Sequence, residues 1–151
     1  MKSIRELLNP QQIYCVGKGQ SVLEVAQRMT EWNMGAVSIL DGERLVGIFS
    51  ERDLMNRVVS RGLSPVSTRV EQVMTSNPVI VEANSTVEHC MRVMNQAKCR
   101  HLPVVTEGRL VGMISMRDLQ LHNLEEKDTE IELMRAFIHH VPPSTPTDSE
   151  L

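Results

Sequence analysis

The chain has 151 residues, 41% apolar and 23% charged, and its 16 basic and 19 acidic side chains leave a net charge of −3. A chain of this length buries roughly 70% of its unfolded surface and needs no disulfide or metal to hold a core. The acidic balance argues against a nucleic-acid partner, which would call for a basic face. No apolar run approaches the ~20 residues of a membrane span, so no membrane partner is expected. The N-terminus, Met1-Lys2-Ser3-Ile4-Arg5-Glu6, carries no apolar signal region. Cys15, Cys90 and Cys99 cannot all pair, and their spacing makes no metal motif. A reducing, cytoplasmic setting is the expectation.

Only Tyr14, Trp32, Phe49 and Phe137 are aromatic, against ten methionines, so the core must be aliphatic, with methionine filling irregular gaps. In chain order, a short strand is expected over 13–16. Ser21-Val22-Leu23-Glu24 reads as a capping box, followed by Val22, Val25, Ala26 and Met29 at helical spacing. Ala36 to Leu40 and Arg44 to Phe49 flank the turn Asp41-Gly42 and read as a hairpin. Ser50 to Val59 looks helical, and Gly62 to Ser67, with Pro65, suits a linker. The grammar then starts again. A strand is expected over 79–81, a second capping box at Ser85-Thr86-Val87-Glu88, and a helix bearing Val87, Cys90, Met91 and Met94. A hairpin, Leu102 to Val105 and Arg109 to Ile114, turns at Glu107-Gly108, and a helix runs from Ser115 to His122. Pro103, lacking an N–H, belongs at a strand start or edge.

The repetition is explicit. Arg44-Leu45-Val46-Gly47 returns as Arg109-Leu110-Val111-Gly112, and Ser50-x-Arg52-Asp53-Leu54 as Ser115-x-Arg117-Asp118-Leu119, both at an offset of 65 that also aligns Val22 with Val87 and Met29 with Met94. The fold class expected is α+β, a β-α-β-β-α unit written twice. The repeats span 2–62 and 67–122, a C-terminal helix spans 123–140, and a disordered Pro/Ser/Thr-rich tail occupies 141–151. Thr129-x-x-Glu132 could cap that last helix, whose apolar face is Ile131, Met134, Phe137 and Ile138.

The tandem unit resembles the cystathionine-β-synthase (CBS) domain pair, or Bateman module. The matching residues are Val73-Met74-Thr75 leading to Pro78, Arg100-His101-Leu102-Pro103-Val104-Val105, Gly112-Met113-Ile114-Ser115-x-x-Asp118, and, in the first copy, Gly47-Ile48-Phe49-Ser50-x-x-Asp53. The resemblance covers residues 2–122. It implies a non-catalytic regulatory module that holds adenosyl compounds (AMP, ADP, ATP, S-adenosylmethionine or NAD) in clefts between the two units. It implies that Asp53 and Asp118 meet the ribose diol and that Ser50 and Ser115 approach phosphate. Arg100 and His101 resemble positions that meet phosphates in nucleotide-sensing members. The wider ligand-facing set it implies is Tyr14, Met34, Gly35, Ala36, Arg52, Val79, Cys99 and Arg117, with no metal ligand. A homodimer and a separate regulated protein are the implied partners.

The chemistry has its own logic. An ionised carboxylate only accepts hydrogen bonds, so a vicinal diol is a natural two-donor partner. Free N–H groups at a helix start suit phosphate. Ser-x-x-Asp at a helix start is equally a variant capping box, and that alternative stands at both copies. The first copy carries Gly35-Ala36 where the second has Arg100-His101, and Ser38 where the second has Pro103, so the two sites should differ. Cys99 could be an activated thiol beside Arg100 or a half-buried inert one. His139-His140 has no third metal ligand near it in sequence, and Arg57 with Arg61 reads as a solvated face. The sequence holds no nucleophile–base pair, Walker loop or metal cluster, which argues against an enzyme. The rival reading is a constitutive dimerisation or scaffold module with empty clefts.

Overall fold

The computed structural model describes residues 2–9 and 12–140, the side chains of His139 and His140 excepted, and the expected tail over 141–151 lies outside the described residues. The chain divides into two bodies, one ending at Met116 and the other beginning at Arg117. The fold is α+β, and the first body carries the first repeat and the strands and first helix of the second.

In the first repeat, β1 (Cys15–Gly17) runs parallel to β2 (Ala36–Asp41), which pairs antiparallel with β3 (Arg44–Ser50). Helix α1 (Val22–Trp32) crosses between β1 and β2 and buries Val22, Val25 and Met29. The second repeat copies this element by element: β5 (Val81–Glu82), α3 (Val87–Ala97), β6 (His101–Thr106) and β7 (Arg109–Ser115). Even the hairpin bulge recurs, between Ile39 and Leu40 and between Val104 and Val105. The hairpin turns differ in chemistry. Gly42 alone has positive φ (64°), whereas Glu107 and Gly108 both do (51° and 78°), the pattern of a type I′ turn.

Helix α1 starts with the expected reciprocal box, Glu24 N–H donating to Ser21 Oγ at 3.1 Å and Ser21 N–H to Glu24 Oε1 at 3.4 Å. The second box is a correction. Helix α3 is capped by Thr86, which accepts from the His89 N–H at 3.1 Å. The residue in the reciprocating position is therefore His89, not Glu88, and no carboxylate returns the bond. Pro103 is another correction, because it lies inside β6, the central strand of three. The strand tolerates it because β5 reaches only Val104 and Val105, leaving Pro103 no ladder partner on that side.

The segment leading each repeat closes the other one. After the first repeat, the chain forms a 3-10 turn (Val70–Gln72) and β4 (Thr75–Ser76), which pairs with β3. There Val70 N–H donates to Gln20 O at 2.9 Å and Glu71 N–H to Lys18 O at 3.3 Å, and Val70 and Val73 join the first repeat's core with Val25, Ile39 and Phe49. The N-terminal 3-10 turn (Ile4–Leu7) does the same for the second repeat. Ile4 N–H donates to Ser85 O at 2.8 Å, Arg5 N–H donates to Ala83 O at 3.1 Å, and Ile4 is fully buried. Two glycines make room for this exchange. A Cβ at Gly47 would collide with Met74 Sδ and approach the Thr75 carbonyl to 2.9 Å, and one at Gly112 would lie 3.0 Å from Leu8 Cδ2.

Helix α4 (Met116–His140) runs unbroken, so Thr129 sits within a helix and caps nothing. The expected separate element is a continuation, because no glycine or proline interrupts the chain between Ser115 and His140. On it Leu119 is buried, whereas Ile131, Met134, Phe137 and Ile138 are exposed, Phe137 by 71%. Among the described residues, no helix is long and apolar enough to cross a membrane. Burial raises all three thiols, Cys90 to about 11, which keeps Cys99 protonated rather than activated.

Gly47→Ala is expected to cost about 1–3 kcal/mol by overpacking against backbone, or roughly 2–12 °C of melting temperature at this size. Gly112→Ala should cost less, because only the tip of a flexible leucine must move. Thermal melts of the two variants check the order, and an equal or larger loss for Gly112→Ala would contradict the packing described.

Candidate functional site

Cross-strand partners share a face of a sheet, so the register places the candidate residues. Ala36 lies opposite Ser50, and one pair further along Ser38 lies opposite Ile48 and beside Cys15. In the second repeat the same face carries His101 opposite Ser115 and Pro103 opposite Met113. The intervening residues Val37, Ile39 and Phe49 point the other way, into the core. Each hairpin thus keeps one face for packing and turns the other, carrying the candidate hydroxyl, away from it.

At the end of β3 the chain enters α2 (Glu51–Asp53), which continues as a π-helix over Leu54–Val59. Ser50 is extended and caps it. Asp53 N–H donates to Ser50 Oγ at 3.2 Å, while Asp53 Oδ2 accepts from Ser50 N–H at 2.9 Å and from Ser50 Oγ at 3.1 Å. Asp53 Oδ1 lies 3.7 Å from Arg57 Nε. The capping alternative is therefore realised at the first copy. Cap and ligand contact are compatible in principle, since a carboxylate offers about four acceptor positions.

Arg57 departs from the solvated face expected of it. Its Nη1 donates to the carbonyls of Val73 and Met74 at 3.2 and 2.9 Å, fastening the π-helix to the segment that precedes β4. Arg61 is exposed.

The two repeats meet at the strand starts. Glu51 N–H donates to Gly35 O at 3.0 Å, and Met116 N–H makes the equivalent bond to Arg100 O at 2.8 Å. A Cβ at Gly35 would lie 3.4 Å from Glu51 Oε1 and 3.7 Å from His101 Cε1. The imidazole of the second repeat thus lies close to Gly35 of the first. A Cβ at Gly35 would meet both side chains at ordinary van der Waals distance.

The remaining candidates have varied surroundings. Met34 and Cys99 are half-buried just before β2 and β6, and Arg52 and Arg100 are exposed. Tyr14 packs on Trp32, ring centroids 5.2 Å apart, and its hydroxyl donates to Gln12 Oε1. Val79, its counterpart, is exposed. Arg117 and Asp118 belong to the second body, exposed in the first turn of α4. Sequence reasoning passed over Glu51 and did not count Ser38 as a site residue. Both differ from their repeat counterparts, Met116 and Pro103, and that asymmetry was the available signal. Among the described residues, no three His, Cys, Asp or Glu side chains are grouped to hold a metal ion.

Two β-α-β-β-α units, interlocked by exchanged leaders and each presenting a Ser-x-x-Asp turn, define a tandem-repeat module. The chain belongs to the CBS-domain family, whose model matches it twice, over residues 4–60 and 70–122. It is 30% identical to Hypoxic response protein 1 of Mycobacterium tuberculosis over 81% of this chain and 85% of that one. Among solved structures it resembles a putative signal-transduction protein with CBS domains from Burkholderia ambifaria (36% identity, TM-score 0.74, covering 78% of this chain and 90% of that one). It also resembles the CBS domain protein PAE2072 from Pyrobaculum aerophilum, solved in complex with AMP (27% identity, TM-score 0.71, 77% and 88% covered).

Asp53→Ala is expected to remove half of the reciprocal cap and cost about 0.5–2 kcal/mol, or roughly 1–8 °C of melting temperature. A thermal melt checks this, and an unchanged transition would mean the cap contributes nothing.

Proposed function

We propose that this protein is a non-catalytic regulatory module that binds an adenosyl ligand in the clefts between its two CBS repeats and signals occupancy to a separate protein. AMP, ADP and ATP are the favoured ligands, with S-adenosylmethionine and NAD sharing the same adenosyl half. The observation that carries the reading is the Ser50–Asp53 pairing at the start of the helix after the first hairpin, with His101 of the second repeat close to Gly35, whose carbonyl accepts from the Glu51 N–H of that same helix start. A basic ring, a hydroxyl and a carboxylate are the groups that a nucleoside phosphate asks for, and their presence near this helix start supports the reading. The AMP complex of PAE2072 supports the ligand class. The working form is a homodimer, for which the exposed Ile131, Met134, Phe137 and Ile138 supply apolar surface of the kind that marks interfaces.

A second reading has its own support. Asp53 already has partners on both oxygens, which suits a constitutive scaffold with empty clefts. Melting curves across a millimolar panel of adenosyl compounds separate the two. A ligand at about 100 times its Kd adds roughly 2.7 kcal/mol per site, so the expected rise is about 5–10 °C. Flat curves throughout would establish the scaffold instead. Light scattering on the same samples gives the assembly, and a mass of 17.1 kDa at tens of micromolar would exclude the dimer.

A further inference from the structure

We propose that Ser38 reads the base of the ligand seated on the first repeat, and that it makes this face chemically distinct from its counterpart in the second; the inference rests on the nucleotide reading above. Ser38 is 1% exposed, and its Oγ has no hydrogen-bond partner among the described residues. Its backbone is not the difficulty, because Ser38 N–H donates to Tyr14 O at 3.4 Å. A buried hydroxyl left unpaired is disfavoured, and native structures leave few of them without a reason. The other such atom, Thr106 Oγ1, lies at the turn end of β6, opposite Arg109.

Position gives the orphan its meaning. Ser38 shares its face with Ala36 and Ser50, two residues along β2 from the Ser50 pair, or about 7 Å. Its flanking residues on that face are Cys15 and Ile48, both half-buried and weakly polar or apolar. The face is therefore polar at one end, where Ser50 is bonded to Asp53 and the neighbouring Gly35 has His101 close by, and apolar at the other, with a single hydroxyl set in it. A nucleotide has the same polarity over a similar span, a charged sugar-phosphate joined to a flat base with a few hydrogen-bonding nitrogens. A serine hydroxyl can donate to a ring nitrogen or accept from an exocyclic amine. The second repeat has Pro103 in this place, with neither hydroxyl nor N–H to offer. Base recognition there must come from other groups, so the two faces differ at the base end as well as at the phosphate end.

The test is calorimetric titration of the wild-type chain and Ser38→Ala with AMP and with ribose 5-phosphate, beside melts of both proteins without ligand. The free variant should melt at or above the wild type, because an unpaired hydroxyl has been removed. AMP affinity at one of the two sites should fall about twofold to tenfold, the usual range for one neutral hydrogen bond. Affinity for ribose 5-phosphate, which has no base, should not change. AMP binding that is equal in the two proteins would overturn the assignment of Ser38 while leaving the nucleotide reading intact. So would equal losses with both ligands, or a lower melt of the free variant, which would give the hydroxyl an internal role. A wild type that binds no AMP would overturn the reading and this inference together.

Discussion

The reciprocal exchange of leading segments is the constraint on which the rest of this structure depends. Neither repeat is complete in its own stretch of chain. The first borrows Val70 and Val73 for its core, and the second borrows Ile4. Backbone bonds seal both exchanges at equivalent places, Val70 to Gln20 and Ile4 to Ser85. Gly47 and Gly112 are small because Met74 and Leu8 lie over them. The same leaders brace the strands whose far ends carry Ser50 and Ser115, so candidate chemistry and fold share one support.

Duplication supplies two equal scaffolds, and the differences between them fall at the seam. His101 lies close to Gly35, so the basic side chain of the second repeat approaches the small residue that stands where that repeat has Arg100. Glu51 stands where the second copy has Met116, and Ser38 where it has Pro103. The helix after the first hairpin widens into a π-helix, whereas its counterpart continues as the 25-residue α4. Two faces of common origin thus differ in charge, in hydrogen-bonding capacity and in the type of helix that leaves them.

Much of the fold was legible because it is written in local signals that repeat. Both hairpins lie within a residue or so of their expected bounds, since strand alternation and Gly-bearing turns are encoded locally. The exchanged leaders were not legible, because a repeat in sequence says nothing about which copy a connecting segment packs on. The Thr86 cap was misjudged by one residue because adjacent Ser85 and Thr86 offer the same hydroxyl, and only helix phase decides between them. Arg57 was misread because its partners are the carbonyls of Val73 and Met74, far along the chain, and backbone acceptors carry no mark in a sequence. At the candidate site, residue types and pairing came from repetition and resemblance. The approach of His101 to Gly35, and the orphaned Ser38 hydroxyl, needed three dimensions.

Hydrogen exchange on the wild type and on Ile4→Ala tests the exchange of leaders most directly. Truncating this fully buried side chain costs about 2–5 kcal/mol in a well-packed core. Although the substitution lies in the first few residues of the chain, the largest loss of amide protection should appear far away, in residues 81–87 and 101–115 of the second repeat. Loss confined to residues 2–9, or centred on residues 15–50 of the first repeat, would contradict the exchange and with it the common support proposed for both faces.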